Sequence, residues 1–106
     1  MKDGIYFVKF ASDRDYGAGI VTIKNGIVNG GDHGFIYKGH VEGDKVNLVA
    51  KQHDSAVPSV FGNISEFDLN LVSIQTSDGY QLKGTTKLAP GSQINISAKF
   101  IGELLT

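Results

Sequence analysis

The residues of this chain whose types could do chemistry are three histidines, a few paired carboxylates and one glycine-rich run. A metal site needs His, Cys, Asp or Glu at intervals that let them converge on one ion. His33, His40 and His53 fall on different predicted elements and have no partner at such an interval, so they read as solvent-facing or loop histidines. Asp32-His33 and the serines nominally supply a hydrolytic triad. The chain has no G-x-S-x-G elbow to present a nucleophile, and scattered Ser, His and Asp occur in any chain of this length. Gly30-Gly31-Asp32-His33-Gly34 superficially resembles a phosphate cradle. It lacks the Lys-Ser/Thr pair and the strand-to-helix context that aim amides at a phosphate, and it reads as a bulge or sharp corner. Glu66 and Asp68 stand two apart, on the face of a strand opposite Phe67, Leu69 and Leu71, which is an ordinary solvated face. No catalytic, metal or cofactor site is therefore predicted.

At 106 residues the chain is one domain, residues 1–106, large enough to hold a single core. It has no cysteine, which removes disulfides and thiolate chemistry together and agrees with a reducing, cytoplasmic setting. Met1 to Gly4 lead straight into a strand-like run, and no apolar stretch is long enough for a signal peptide or a spanning helix, so neither export nor membrane attachment is expected. The formal charge is -1, and the ten basic residues, of which Arg14 is the one arginine, are scattered. Gripping phosphates requires clustered Lys and Arg, so direct nucleic-acid binding is not expected.

What must position any site is a set of short strands. Ile94, Ile96, Ala98 and Phe100 alternate with Asn95, Ser97 and Lys99, the two-residue period of a half-buried strand. Similar runs are predicted at Gly4 to Ser12, at Gly17 to Lys24, after Asn25-Gly26, at Phe35 to His40, at Val46 to His53, around Phe67 to Leu71 and from Tyr80. Asn25-Gly26, Glu42-Gly43-Asp44-Lys45, Asp78-Gly79 and Pro90-Gly91 read as the turns between them, and Ser12 to Asp15 as a polar loop. Asp54 to Ser65, with Pro58 and Gly62, is the longest irregular connection and has room for a helical turn. No window carries a sustained helical period.

About eight antiparallel strands in an up-and-down meander have two outer edges to hide, and closure into a β-barrel hides both; a two-layer sandwich is the competing architecture. The fourteen glycines suit the tight coiling of a small barrel. Such an interior is either filled by side chains or holds one small apolar ligand, against residues such as Ile20, Leu48, Leu69 and Ile96. Tyr6, Phe10, Tyr37 and Tyr80 read as core, and any aromatic left outside would mark a partner surface or drive self-association.

Laid out in this order, the chain resembles the GrlR-like family of negative regulators of type III secretion. The resemblance rests on Met1-Lys2-Asp3-Gly4-Ile5-Tyr6, Lys24-Asn25-Gly26, Gly30-Gly31-Asp32, Tyr37-Lys38-Gly39, Pro58-Ser59-Val60 and Ala98-Lys99-Phe100-Ile101, collinear over almost the whole sequence. It implies a calycin-like, lipocalin-like barrel, a homodimer, and a non-enzymatic role: binding a transcriptional activator and keeping it from its promoter. The family's acidic surface loop, a proposed contact for the basic activator, corresponds to Glu42, Gly43, Asp44 and Lys45. Glu42 and Asp44 match acidic positions, whereas Gly43 and Lys45 interrupt the run and the loop is shorter. The alternative function is a lipocalin-like carrier of a small apolar ligand.

Overall fold

The computed structural model describes residues 1–12, 16–59, 64–86, 91 and 93–105. Asp13 to Asp15 of the expected polar loop, Val60 and Gly62 of the irregular connection, and Pro90 of the last expected turn lie outside them. Eight strands follow one another: β1 (Gly4–Ala11), β2 (Tyr16–Lys24), β3 (Ile27–Gly31), β4 (Phe35–Glu42), β5 (Lys45–Gln52), β6 (Glu66–Gln75), β7 (Gly79–Thr85) and β8 (Gln93–Gly102). Each pairs antiparallel with the next, and β8 returns to β1 between Ile5 and Ala11, so the sheet closes on itself. Closure leaves no edge strand, which excludes the sandwich. No helix occurs among the described residues, and the described part of the 54–65 connection holds turns and bends instead.

Alternation sends one side chain in two into a shared interior. Val46 and Ala50 of β5, Phe67, Leu69 and Leu71 of β6, and Ile94, Ile96 and Ala98 of β8 are buried. Glu66 and Asp68 take the opposite face, as expected. The outside carries Lys9, Lys38, Asp68 and Lys83 in mid-strand, the inverse of the apolar-out, polar-in pattern of a membrane barrel. No helix among the described residues is long and apolar enough to cross a membrane.

Two expectations need correction. Gly30 and Gly31 form no bulge: they continue β3 in unbroken register, Gly30 between Val21 and Tyr37 and Gly31 between Ile20 and Ile36, and the corner is confined to residues 32–34. A side chain at Gly30 would strike the Ile20 carbonyl oxygen, so glycine here permits strongly coiled neighbouring strands to approach. Ile20 does not line the lumen. It is 43% exposed, because β2 turns Gly17, Gly19, Val21 and Ile23 inward and Ala18, Ile20 and Thr22 outward. Smaller shifts are also seen: β4 continues to Glu42, β5 begins at Lys45 and leaves His53 outside, and β2 begins at Tyr16.

One end of the barrel is stoppered by aromatics. The Tyr6 ring meets Phe100 edge-on at 5.6 Å and Tyr80 at 6.0 Å, and the Lys2 ammonium lies 4.1 Å from the centre of the Phe100 ring. The Tyr6 hydroxyl donates to the Lys2 carbonyl at 2.7 Å, and the Lys2 amide donates to the Tyr80 hydroxyl at 3.1 Å. Tyr6 is fully buried, and burial, followed by Tyr80, pushes its hydroxyl up to about 12. An unfolded tyrosine loses its proton near 10, so between pH 10 and about 12 the unfolded chain binds fewer protons than the folded one. Stability contributed by Tyr6 is intact below that window and falls as pH rises through it. Denaturant titrations across this range should show that fall in the native chain, and a shallower one in Tyr6→Phe.

Candidate functional site

Two of the hairpins at the stoppered end obey simple turn chemistry. Asn25 and Gly26 have φ of 51° and 77°, the pair of positive angles a two-residue type I′ turn requires. Between β4 and β5 the turn proper is only Gly43-Asp44, with Gly43 at φ 62°, while Glu42 and Lys45 are paired strand residues. All four are exposed. Position is fixed by neighbours: the Asp44 carbonyl accepts from the Ser73 amide at 2.7 Å and from its hydroxyl at 3.2 Å, and the Val41 amide donates to the Gly26 carbonyl at 2.8 Å.

Tertiary structure gives this turn an electrostatic setting the sequence did not. Directly opposite residues of an antiparallel pair share a face, so the Lys45 side chain stands beside that of Glu42. The outward face of the same hairpin also carries Lys38 and Lys51. Exposed charges of both signs from other segments surround the turn at this end: Asp3, Asp78 and Glu103, with Lys2 and Lys24 among them. Asp3 additionally accepts the Asn25 amide through Oδ1 at 2.9 Å.

The opposite end is a mouth. Asp32 organises it: Oδ1 accepts the amides of Gly34 at 2.8 Å and Phe35 at 2.7 Å, and Oδ2 accepts the Tyr37 hydroxyl. Burial, followed by this hydrogen bond, raises the Tyr37 pKa strongly. The ring of Phe10 packs edge-on to Tyr37 at 5.8 Å. Val57 and Ser59 fold over the mouth, held by the Gln52 side-chain amide donating to the Val57 carbonyl at 2.8 Å and by the His53 amide donating to the Gly34 carbonyl at 2.8 Å.

Below the mouth the lumen is not filled. A cavity of about 120 Å³ is bounded by side chains from all eight strands, among them Val8, Val21, Tyr37, Leu48, Leu69 and Ile96. Leu48, Leu69 and Ile96 of the expected lining are present and Ile20 is absent.

All three histidines are exposed. The fold brings His33 and His53 to the mouth, where His53 Nε2 lies 2.9 Å from the Asp32 carbonyl oxygen, an acceptor, placing the ring proton on Nε2. His40 points outward on β4. Among the described residues no three His, Cys, Asp or Glu side chains converge as metal ligands. Of the four aromatics read as core, Tyr6 and Tyr37 are buried, and Phe10 and Tyr80 pack against the core. Among the described residues, the aromatic most exposed on the outside is Tyr16, at 82%, which the sequence did not single out. Asp32 also went unrecognised as the mouth's organiser, although an Asp two residues before a Gly is a signal for this type of turn.

A closed, up-and-down, eight-stranded barrel with an apolar lumen and polar rims defines a lipocalin-like class of small barrel. Within that class, the family model described as T3SS negative regulator, GrlR, matches residues 1–104, and the chain belongs to this family of negative regulators of type III secretion. A comparison with curated proteins finds no match.

Gly43 adopts a left-handed conformation with open space around it, so the strain of a Cβ there is conformational alone. Gly43→Ala should lower the unfolding free energy by about 1–2 kcal/mol without altering the fold, whereas Gly43→Asn should lose less. Chemical denaturation of the two variants beside the native chain measures both.

Proposed function

We propose that this chain is a non-enzymatic regulator that binds a DNA-binding transcriptional activator and keeps it from its promoter. Membership of a family of type III secretion negative regulators over residues 1–104 carries this reading. The contact proposed is the stoppered end, centred on Glu42, Gly43, Asp44 and Lys45, with Asp3, Asp78 and Glu103 adding negative charge around it. An activator that binds DNA presents basic surface, and complementary charge sets its encounter rate and orientation. Because its partner acts on DNA, the regulator works in the cytoplasm and touches no nucleic acid itself; its lysines are spread over the barrel instead of forming a phosphate-binding stripe.

Pull-down from the native host should recover the activator. Exposed ion pairs contribute roughly 0 to 1 kcal/mol each, so reversing both carboxylates (Glu42→Lys with Asp44→Lys) should weaken capture by about tenfold without abolishing it. Unchanged capture removes the turn from the contact.

The regulator is proposed to act as a homodimer. Phe7, Ile20, Gly31 and Ile36 are lateral neighbours across β1 to β4, and Ile20 and Ile36 are 43% and 39% exposed. A two-fold axis through this aliphatic row buries it against itself. Light scattering at micromolar concentration should give twice the chain mass for the native protein and the single-chain mass for Ile20→Lys with Ile36→Lys. A monomeric native chain overturns the dimer, and a dimeric variant moves its interface elsewhere.

A further inference from the structure

We infer that the lumen is a binding site for one small, neutral, largely apolar molecule of single-ring size. Four observations lead there. The cavity of about 120 Å³, open at the mouth, is lined mainly by aliphatic and aromatic side chains from every strand, and an enclosed apolar cavity of about 150 Å³ accepts benzene or xenon. The stopper of Tyr6, Tyr80 and Phe100 ends the space at one side, so it offers a chamber and not a channel. That limits length and excludes a long acyl chain lying through the barrel. The third observation concerns charge. Asp32 lines the cavity at its mouth, its carboxylate held in place by two backbone amides and the Tyr37 hydroxyl, so an anionic head group entering here meets a fixed carboxylate. Fourth, the Tyr37 hydroxyl spends its proton on Asp32 and keeps its oxygen lone pairs, so it can accept a hydrogen bond from a neutral ligand's O–H or N–H. Single aromatic rings bearing at most one small polar donor satisfy all four.

This site is independent of the activator contact, which lies at the other end of the barrel. Methyl resonances of the native chain report it directly. Benzene and phenol should each shift the methyls of Leu48, Leu69 and Ile96 saturably and leave that of the outward Ile74 in place; hexanoate at equal concentration should move none of them. Leu48→Phe, which fills the chamber, should weaken benzene binding at least tenfold, and Ile74→Thr should leave it unchanged. Xenon on the native chain, read at the same lumen methyls, decides the matter where Leu48→Phe fails to fold. Lumen methyls unmoved by both benzene and xenon overturn the site, and hexanoate binding as tightly as phenol overturns its preference for neutral molecules.

Discussion

Everything in this molecule depends on β8 hydrogen-bonding back to β1. A meander of seven or eight strands with free ends would present two rows of unpaired amides and carbonyls, each an invitation to join another chain. Closure removes them, but it forces a small radius on the sheet, and at that radius side chains pointing inward collide. The chain's response is visible on the inward face. At Gly39 and Gly84 a Cβ would run into the Asn47 and Asn70 carbonyl oxygens of the adjoining strands, so these positions admit only glycine at this curvature. Curvature and composition are therefore one fact stated twice.

The same constraint makes the two ends unlike. At the end where β1 begins, Tyr6, Tyr80 and Phe100 fill the bore with rings and tie the first residues down through Lys2. At the other, one carboxylate, that of Asp32, satisfies two amides and a phenol and holds the corner from β3 to β4 in shape. Hydrogen bonds to a charged acceptor contribute more than neutral ones, about 1.5–3 kcal/mol each, so Asp32 concentrates much of the mouth's order in one residue. Between stopper and mouth the packing is incomplete. A core selected for stability alone would have filled that space.

Membership of a regulator family shifts attention from the lumen to the outer surface, where the barrel's rigidity matters in a different way. A two-residue turn pinned by Ser73 presents Glu42 and Asp44 with little freedom, so a contact at this turn, as proposed, would cost this chain little ordering entropy. Lys45 beside Glu42 tempers the acidity, and the surrounding Asp3, Asp78 and Glu103 are set among Lys2 and Lys24. Charge on this surface is thus a property of several chain segments together.

The sequence by itself determined the strands, their turns and most of their inward faces, because a period of two and dipeptides such as Asn25-Gly26 are local signals that need no partner to be read. It also carried the family, through short tags kept in order along the chain. Ile20 shows where local reading fails: with Gly17 and Gly19 as the inward residues of β2, the apolar residue nearest to hand looked like core, and only the register with β1 and β3 turned it outward. Gly30 and Gly31 fail for the same reason, since a glycine pair that signals a corner in isolation serves here to let two neighbouring strands come close. The lumen cavity and the charged barrel end each join residues far apart in the chain. Their existence was decided by ring closure, which brings strands one and eight together and fixes how much room is left between all eight.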